Sequence, residues 1–124
     1  MQSLNKVFIM GYVGKDPETK YLPNGTALST FSVATTEKQK DKEPKTEWHN
    51  VVAFGRLAEV VEKYVTKGSP VLIVGRLRYR EWEDKEGNKK RVAEVLANEL
   101  KLLASKEKEG SSGSEGIDDD SIPF

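Results

Sequence analysis

Residues Arg56 to Lys67 are the one clear stretch whose apolar positions recur with a helical period, and β-type runs stand on both sides of it. Leu57, Val60, Val61, Tyr64 and Val65 fall at i, i+3, i+4, i+7 and i+8, which draws a single apolar stripe. Lys63 and Lys67 suit the negative end of a helix dipole, and Gly68 followed by Pro70 supplies the stop. A lone amphipathic helix has to bury its stripe, and only sheet is available to receive it.

Three strand-like runs precede the helix. Leu4 to Val13 alternates, with Val7, Ile9 and Val13 on one side and Phe8, Met10 and Tyr12 on the other. Both sides are apolar, which predicts a central strand. Gly11 and Gly14 mark a bulge or bend in it. Lys15 to Gly25 contains Asp16-Pro17 and Pro23-Asn24-Gly25 and reads as turns. Ala27 to Thr35 is a second strand and Glu47 to Phe54 a third. Between them, Glu37 to Thr46 is polar and rich in lysine, and reads as a long mobile loop. After the helix, Val71 to Trp82 is a fourth strand, Gly87-Asn88 marks a hairpin turn, and Arg91 to about Ala104 is a fifth. Tyr12, Phe31 and Tyr64 are assigned mainly to the core. Three strands, a helix and two strands within about 100 residues predict an all-β fold, a five-stranded Greek-key barrel with one helix.

The net charge of zero, twenty bases against twenty acids, conceals an asymmetry. From Gly110 to Phe124 there are four acids (Glu115, Asp118, Asp119, Asp120) and no base. The preceding residues therefore carry a net +4 and the tail −4. A basic body suggests a polyanion partner, and an acidic tail suggests a separate interaction segment. The GSSGSEG stretch is a flexible linker by composition. The last residues then turn apolar again with Ile122, Pro123 and Phe124. The expected division is a binding domain over residues 1–104 and a disordered linker with an acidic tip over 105–124.

Several functions are set aside on composition. There is no Cys, which excludes disulfides, thiol catalysis and Cys-ligated zinc. No apolar run approaches the roughly 20 residues of a membrane span, and nothing resembles a signal peptide. A cytoplasmic protein without a membrane role is expected. His49 is the sole histidine, no Walker A loop is present, and no catalytic triad has visible spacing. Asp118 to Asp120 lack the ordered shell that a metal site needs. No enzyme activity, catalytic residue, metal or cofactor is expected.

The fourth strand carries the clearest functional pattern. Val71, Ile73, Gly75, Leu77 and Tyr79 share one face, read as core, while Arg76, Arg78, Arg80 and Trp82 share the other. On the third strand, Trp48, Asn50, Val52 and Phe54 share a parity with Arg56, and the smaller apolar residues opposite suit the interior. Large aromatics interleaved with cations on one sheet face suit single-stranded nucleic acid. Bases stack on the rings, at about 1–3 kcal/mol each, and the cations follow the phosphates. An oligosaccharide would also stack on aromatics, but the arginine row favours phosphate. No helix is available to read a duplex groove.

The segments NKVFIMGYVGKDPETKYLPNG, TEWHNVVAFGRLAEVVEKYVTKGSPVLIVGRLRYREWED and DDDSIPF, in this order, resemble the bacterial single-stranded DNA-binding proteins over essentially the whole chain. The resemblance implies the OB version of the barrel, usually as a homotetramer associated with the nucleoid, serving DNA replication, recombination and repair after damage. It places the family's stacking aromatics at Trp48, Phe54 and Trp82. A further stacking Trp of better-studied members falls at Gln39, so this chain lacks that platform, with Lys38, Lys40 and Lys42 partly compensating. It places His49 at a subunit contact. It also makes Asp118, Asp119, Asp120, Ile122, Pro123 and Phe124 a tip that docks into replication, recombination and repair proteins. Ser121 interrupts the usual run of acids into Ile-Pro-Phe, and the linker is short for the family. A primosomal relative with the same barrel is disfavoured because such proteins lack the tip.

Overall fold

The computed structural model describes residues 2–103. The acidic tip and the linker before it lie outside the described residues. Six strands and one helix follow in order: β1 (Val7–Val13), β2 (Glu18–Tyr21), β3 (Ala27–Gln39), β4 (Lys42–Phe54), α1 (Gly55–Tyr64), β5 (Pro70–Glu83) and β6 (Lys89–Leu102). The sheet runs β1-β5-β6-β4-β3-β2, and β1 also pairs with β3 through Tyr12 and Val13 opposite Ala34 and Val33. That last pairing closes β1, β3, β4, β6 and β5 into a barrel, which leaves no open edge between them. The five-stranded Greek-key barrel expected from the sequence is therefore present, with the helix between its third and fourth strands.

The interior is built from β-branched residues that fit a closed sheet. Ile9, Val13, Val33, Val51, Val71, Ile73 and Val95 are buried there, with Ala58, Val61 and Val65 arriving from α1 and its end. Gly75 sits where the β5–β6 register shifts, and a Cβ there would strike the carbonyl of Leu96. The close approach is what lets the ladder bend into a barrel wall. At this same end of the β1–β5 pairing, just beyond Val7 opposite Gly75, the Asn5 side chain continues the ladder. Its Nδ2 donates to the carbonyl of Leu77 (2.7 Å), and its Oδ1 accepts from the Leu77 N–H (2.9 Å).

The structure corrects several expectations. Glu37 to Thr46 is no loop: β3 and β4 run on as a hairpin to a two-residue turn at Lys40 and Asp41. Thr36 opposes Thr46 with their hydroxyls 3.1 Å apart, and Glu37 opposes Lys45, so polar cross-strand pairs extend the ladder without any core. The turn region after Gly14 contains β2, whose polar Glu18–Tyr21 sequence shows no apolar alternation. Pairing with β3 holds it, together with a Thr19 hydroxyl that donates to the Ser29 hydroxyl (3.2 Å).

The helix stops at Tyr64, short of Lys67. Acceptors outside the helix, one local and two distant, take the amides that would have continued it. Ser69 Oγ accepts from the Thr66 N–H (3.1 Å), Asp16 Oδ1 from Lys67 (2.8 Å), and the Val13 carbonyl from Gly68 (2.8 Å). The turns themselves are as expected: Gly25 and Gly87 both adopt positive φ, at 91° and 85°.

Core membership is corrected at four residues. Phe31 is buried, but Tyr12 and Tyr64 are exposed. The outward side of β1, Phe8, Met10 and Tyr12, is 67%, 57% and 62% exposed although hydrogen-bonded strands flank β1 on both sides. On β5, Val71, Ile73 and Gly75 are interior, yet Leu77 and Tyr79 are exposed. At about 3.3 Å per residue β5 is longer than the barrel wall, so its second half leaves the core behind. Tyr79 there stacks against the Arg91 guanidinium, 4.1 Å from the ring centre.

Candidate nucleic-acid interface

Register decides which side chains share the outer face. Directly opposed residues of an antiparallel pair point the same way. Thr30 opposes Val52, Ser32 opposes Asn50, Ala34 opposes Trp48 and Leu28 opposes Phe54. On the other arm, Arg76 opposes Leu96, Arg78 opposes Glu94, Arg80 opposes Val92 and Trp82 opposes Lys90. The parallel β4–β6 pairing sets Val52 beside Leu96 and so joins the two rows into one surface. The two hairpins thus form the walls of a groove lined by Thr30, Asn50, Phe54, Arg78, Arg80 and Glu94, among others. Its volume is about 710 Å³.

Trp48 and Phe54 share a side, as the parity of the third predicted strand requires; that side is the outer face, and Trp48 is 60% exposed. The Trp48 ring rests over Gly14, where a Cβ would collide with the indole and press on Ser32 Oγ. Gly14 therefore acts as a seat for the ring, beyond the bend read from the sequence. Trp82 stands near the end of the β5–β6 hairpin, with the Arg80 guanidinium 5.1 Å from its ring centre. The Arg78 guanidinium lies 5.7 Å from the centre of Phe54. Cation and ring are thus paired twice, once between the walls and once within the β5–β6 wall.

Arg78 and Arg80 are not free solvated charges. Arg78 donates from Nε to Glu94 Oε2 (2.9 Å), with an Nη 2.8 Å from the same oxygen. Arg80 donates from Nε to Glu94 Oε1 (3.3 Å). Arg76 is exposed on the same face of β5. Arg56 is not on the strand at all: it is the second residue of α1, in a separate shallow surface with Tyr21, Val60 and Tyr64. Lys38, Lys40 and Lys42 sit together at the tip of the β3–β4 hairpin, and Gln39 opposes Lys42 there. His49 Nε2 lies 2.9 Å from the Thr35 hydroxyl, a local partner for the sole histidine.

Three contributors escape a reading of the sequence. Lys15 lines the groove from the turn before β2 and Lys20 from β2 itself, because this strand pairs with β3. Glu94 is the third, though a signal for it exists. Counting outward from the Gly87-Asn88 turn, the hairpin register brings position 94 opposite position 78.

A closed Greek-key barrel whose two long hairpins wall an aromatic and cationic groove is an OB-fold of the nucleic-acid-binding kind. Comparison with known proteins makes the class specific. The model of the single-strand binding protein family matches residues 4–103. A single-stranded DNA-binding protein 1 of Xylella fastidiosa is 47% identical over 118 residues, covering 91% of this chain and 87% of the relative. A single-stranded DNA-binding protein of Neisseria meningitidis serogroup A is 41% identical over 115 residues, covering 90% of this chain and 66% of the relative. Among solved structures, the Plasmodium falciparum SSB in complex with ssDNA superimposes with a TM-score of 0.73 at 33% identity, covering 82% of this chain and 95% of that one. The chain belongs to the single-strand binding protein family. Its members are binding proteins, not enzymes, in accord with the composition. Among the described residues, no helix is long and apolar enough to cross a membrane.

Proposed function

We propose that this protein binds single-stranded DNA without strong sequence preference, coating and protecting it during replication, recombination and repair. One observation carries the reading: Trp48, Phe54, Arg76, Arg78, Arg80 and Trp82 share the outer face of two paired hairpins in a barrel of this family. Bases would stack on the rings while guanidinium and ammonium groups follow the phosphates. Lys38, Lys40 and Lys42 extend the cationic track along the β3–β4 hairpin. The likeness to an SSB complex with ssDNA supports the same reading. Residues 1–104 form the DNA-binding unit. Residues 105–124 form a linker and a tip, in which Asp118, Asp119, Asp120, Ile122, Pro123 and Phe124 recruit genome-maintenance proteins. The tip chemistry suits that role: an aromatic fills an apolar pocket while carboxylates meet basic side chains at its rim.

The protein works as a homotetramer in the cytoplasm, at the nucleoid. The support is the exposed apolar row Phe8, Met10 and Tyr12 on β1, which a second copy of the chain would cover.

The test is tryptophan fluorescence during titration with oligo(dT), duplex DNA and an oligosaccharide, each at two salt concentrations. Quenching by oligo(dT) alone, weakening as salt rises, is the expected result. No quenching by oligo(dT) refutes the proposal.

A further inference from the structure

The groove that would receive DNA contains a buried carboxylate. Glu94 is 3% exposed and lines the groove beside Phe54. A buried anion is costly unless it is paired, and in a phosphate-binding groove it would also repel the ligand. Glu94 is paired twice. Arg78 engages Oε2 at 2.9 and 2.8 Å, and Arg80 engages Oε1 at 3.3 Å. Each arginine also lies against one proposed stacking ring, Arg78 on Phe54 and Arg80 on Trp82. One carboxylate on β6 therefore links, through two guanidinium groups on β5, an aromatic at the end of β4 and another near the tip of the β5–β6 hairpin.

The donor inventory shows why this favours binding. A guanidinium has five N–H donors. The contacts to Glu94 use both Nε groups and one Nη of Arg78. Most Nη donors of both residues stay available, and the two side chains are 36% and 56% exposed. Long arginine side chains in solvent lose rotamer freedom when a phosphate fixes them. Here Glu94 has fixed them in advance.

We propose that Glu94 is a positioning residue for single-stranded DNA: it holds Arg78 and Arg80 as one preset pair of phosphate donors and, through them, sets Phe54 and Trp82. The proposal rests on the function given above and assigns it a residue that never stacks on a base. Its sign differs from plain electrostatics. Glu94→Gln removes a negative charge from the binding face, so charge alone predicts tighter binding at low salt. Positioning predicts weaker binding.

The experiment is anisotropy titration of labelled oligo(dT) with the full chain, as a double-mutant cycle. Glu94→Gln is expected to weaken binding about tenfold, within the usual range for coupled neighbours. In an Arg78→Ala/Arg80→Ala background the same change is expected to cause no loss, because only the effect of the removed charge is left. Equal or tighter binding by Glu94→Gln overturns the proposal. So does an equal loss in both backgrounds, which marks a merely structural role. If Glu94→Gln does not fold, Arg78→Lys/Arg80→Lys with Glu94 intact decides. Lysine keeps both charges but cannot form the Nε and Nη fork. About tenfold weaker binding supports the proposal, and wild-type affinity overturns it. Failure of the wild-type chain to bind oligo(dT) is a different result, which refutes the function itself.

Discussion

Trp48 shows how a single residue's role depends on what lies beneath it. Its ring occupies the space that a side chain at position 14 would need. Gly14→Ala therefore has to displace the indole or Ser32, and the indole is the freer of the two because it is largely exposed. The expected outcome is weaker oligo(dT) binding, by up to the value of one stack, about 1–3 kcal/mol. Trp48→Ala sets the ceiling in the same titration, and an unchanged affinity for Gly14→Ala would show that the seat does not matter. The site was partly legible at this scale. Strand parity places Trp48 with Phe54 on one side of their strand, and Arg78 with Arg80 and Trp82 on one side of theirs, because successive side chains alternate; the register that joins the two rows is not in the spacing. Parity fails for Leu77 and Tyr79, which have core spacing and yet are exposed. Alternation tells which face a residue takes, but not whether another layer covers that face. The exposure of Tyr12 and Tyr64 escapes a reading of the sequence for the same reason.

The elements that hydrophobic patterning does not show are those held by backbone pairing and polar partners, with no apolar face of their own. β2 has no apolar alternation and exists by pairing with β3. The chain leaving α1 is held by Asp16 and Val13, some fifty residues upstream, the second through the N–H of Gly68. The β3–β4 hairpin is polar to its tip, so hydrophobic periodicity reads it as loop. Its being a hairpin changes what its lysines do. On a mobile loop, three lysines would be a diffuse cloud of charge. On paired strands, Lys38, Lys40 and Lys42 are held at one tip beyond the groove. Replacing all three by Gln is expected to weaken oligo(dT) binding and to flatten its salt dependence. Each phosphate that the protein ceases to neutralise lowers the log–log slope by about 0.7 on a single strand, so full engagement of all three lysines predicts a decrease of about 2. Titrations at four or more salt concentrations measure it, and an unaltered slope would mean that DNA does not reach the tip. Stability should change little, since these side chains are mostly exposed.

At the scale of the whole molecule, the barrel accounts for one partner and leaves two surfaces over. The β1 row of Phe8, Met10 and Tyr12 is too apolar to remain in water without cost. Sedimentation of the full chain is expected to give the mass of four copies. Met10→Glu, which leaves the interior Ile9 and Val13 untouched, should shift it to smaller species. A monomeric wild type would remove the tetramer from the proposal while leaving the groove intact. The second surplus is charge. The sequence balances to zero only because three of its acids cluster at Asp118 to Asp120 and a fourth stands at Glu115, with no base among the last fifteen residues. An acidic segment tethered to a basic groove competes with DNA for that groove, and the competition is electrostatic, so salt screens it. Removing residues 118–124 should therefore leave oligo(dT) affinity equal or several-fold higher at low salt, and the gain should vanish as ionic strength rises. The same truncation should abolish capture of replication and repair proteins, because it takes away both the carboxylates and the aromatic anchor. The two readouts separate the two halves of the chain. A truncated chain that loses DNA binding would place the tail in the DNA site, and one that keeps its protein partners would move recruitment onto the barrel.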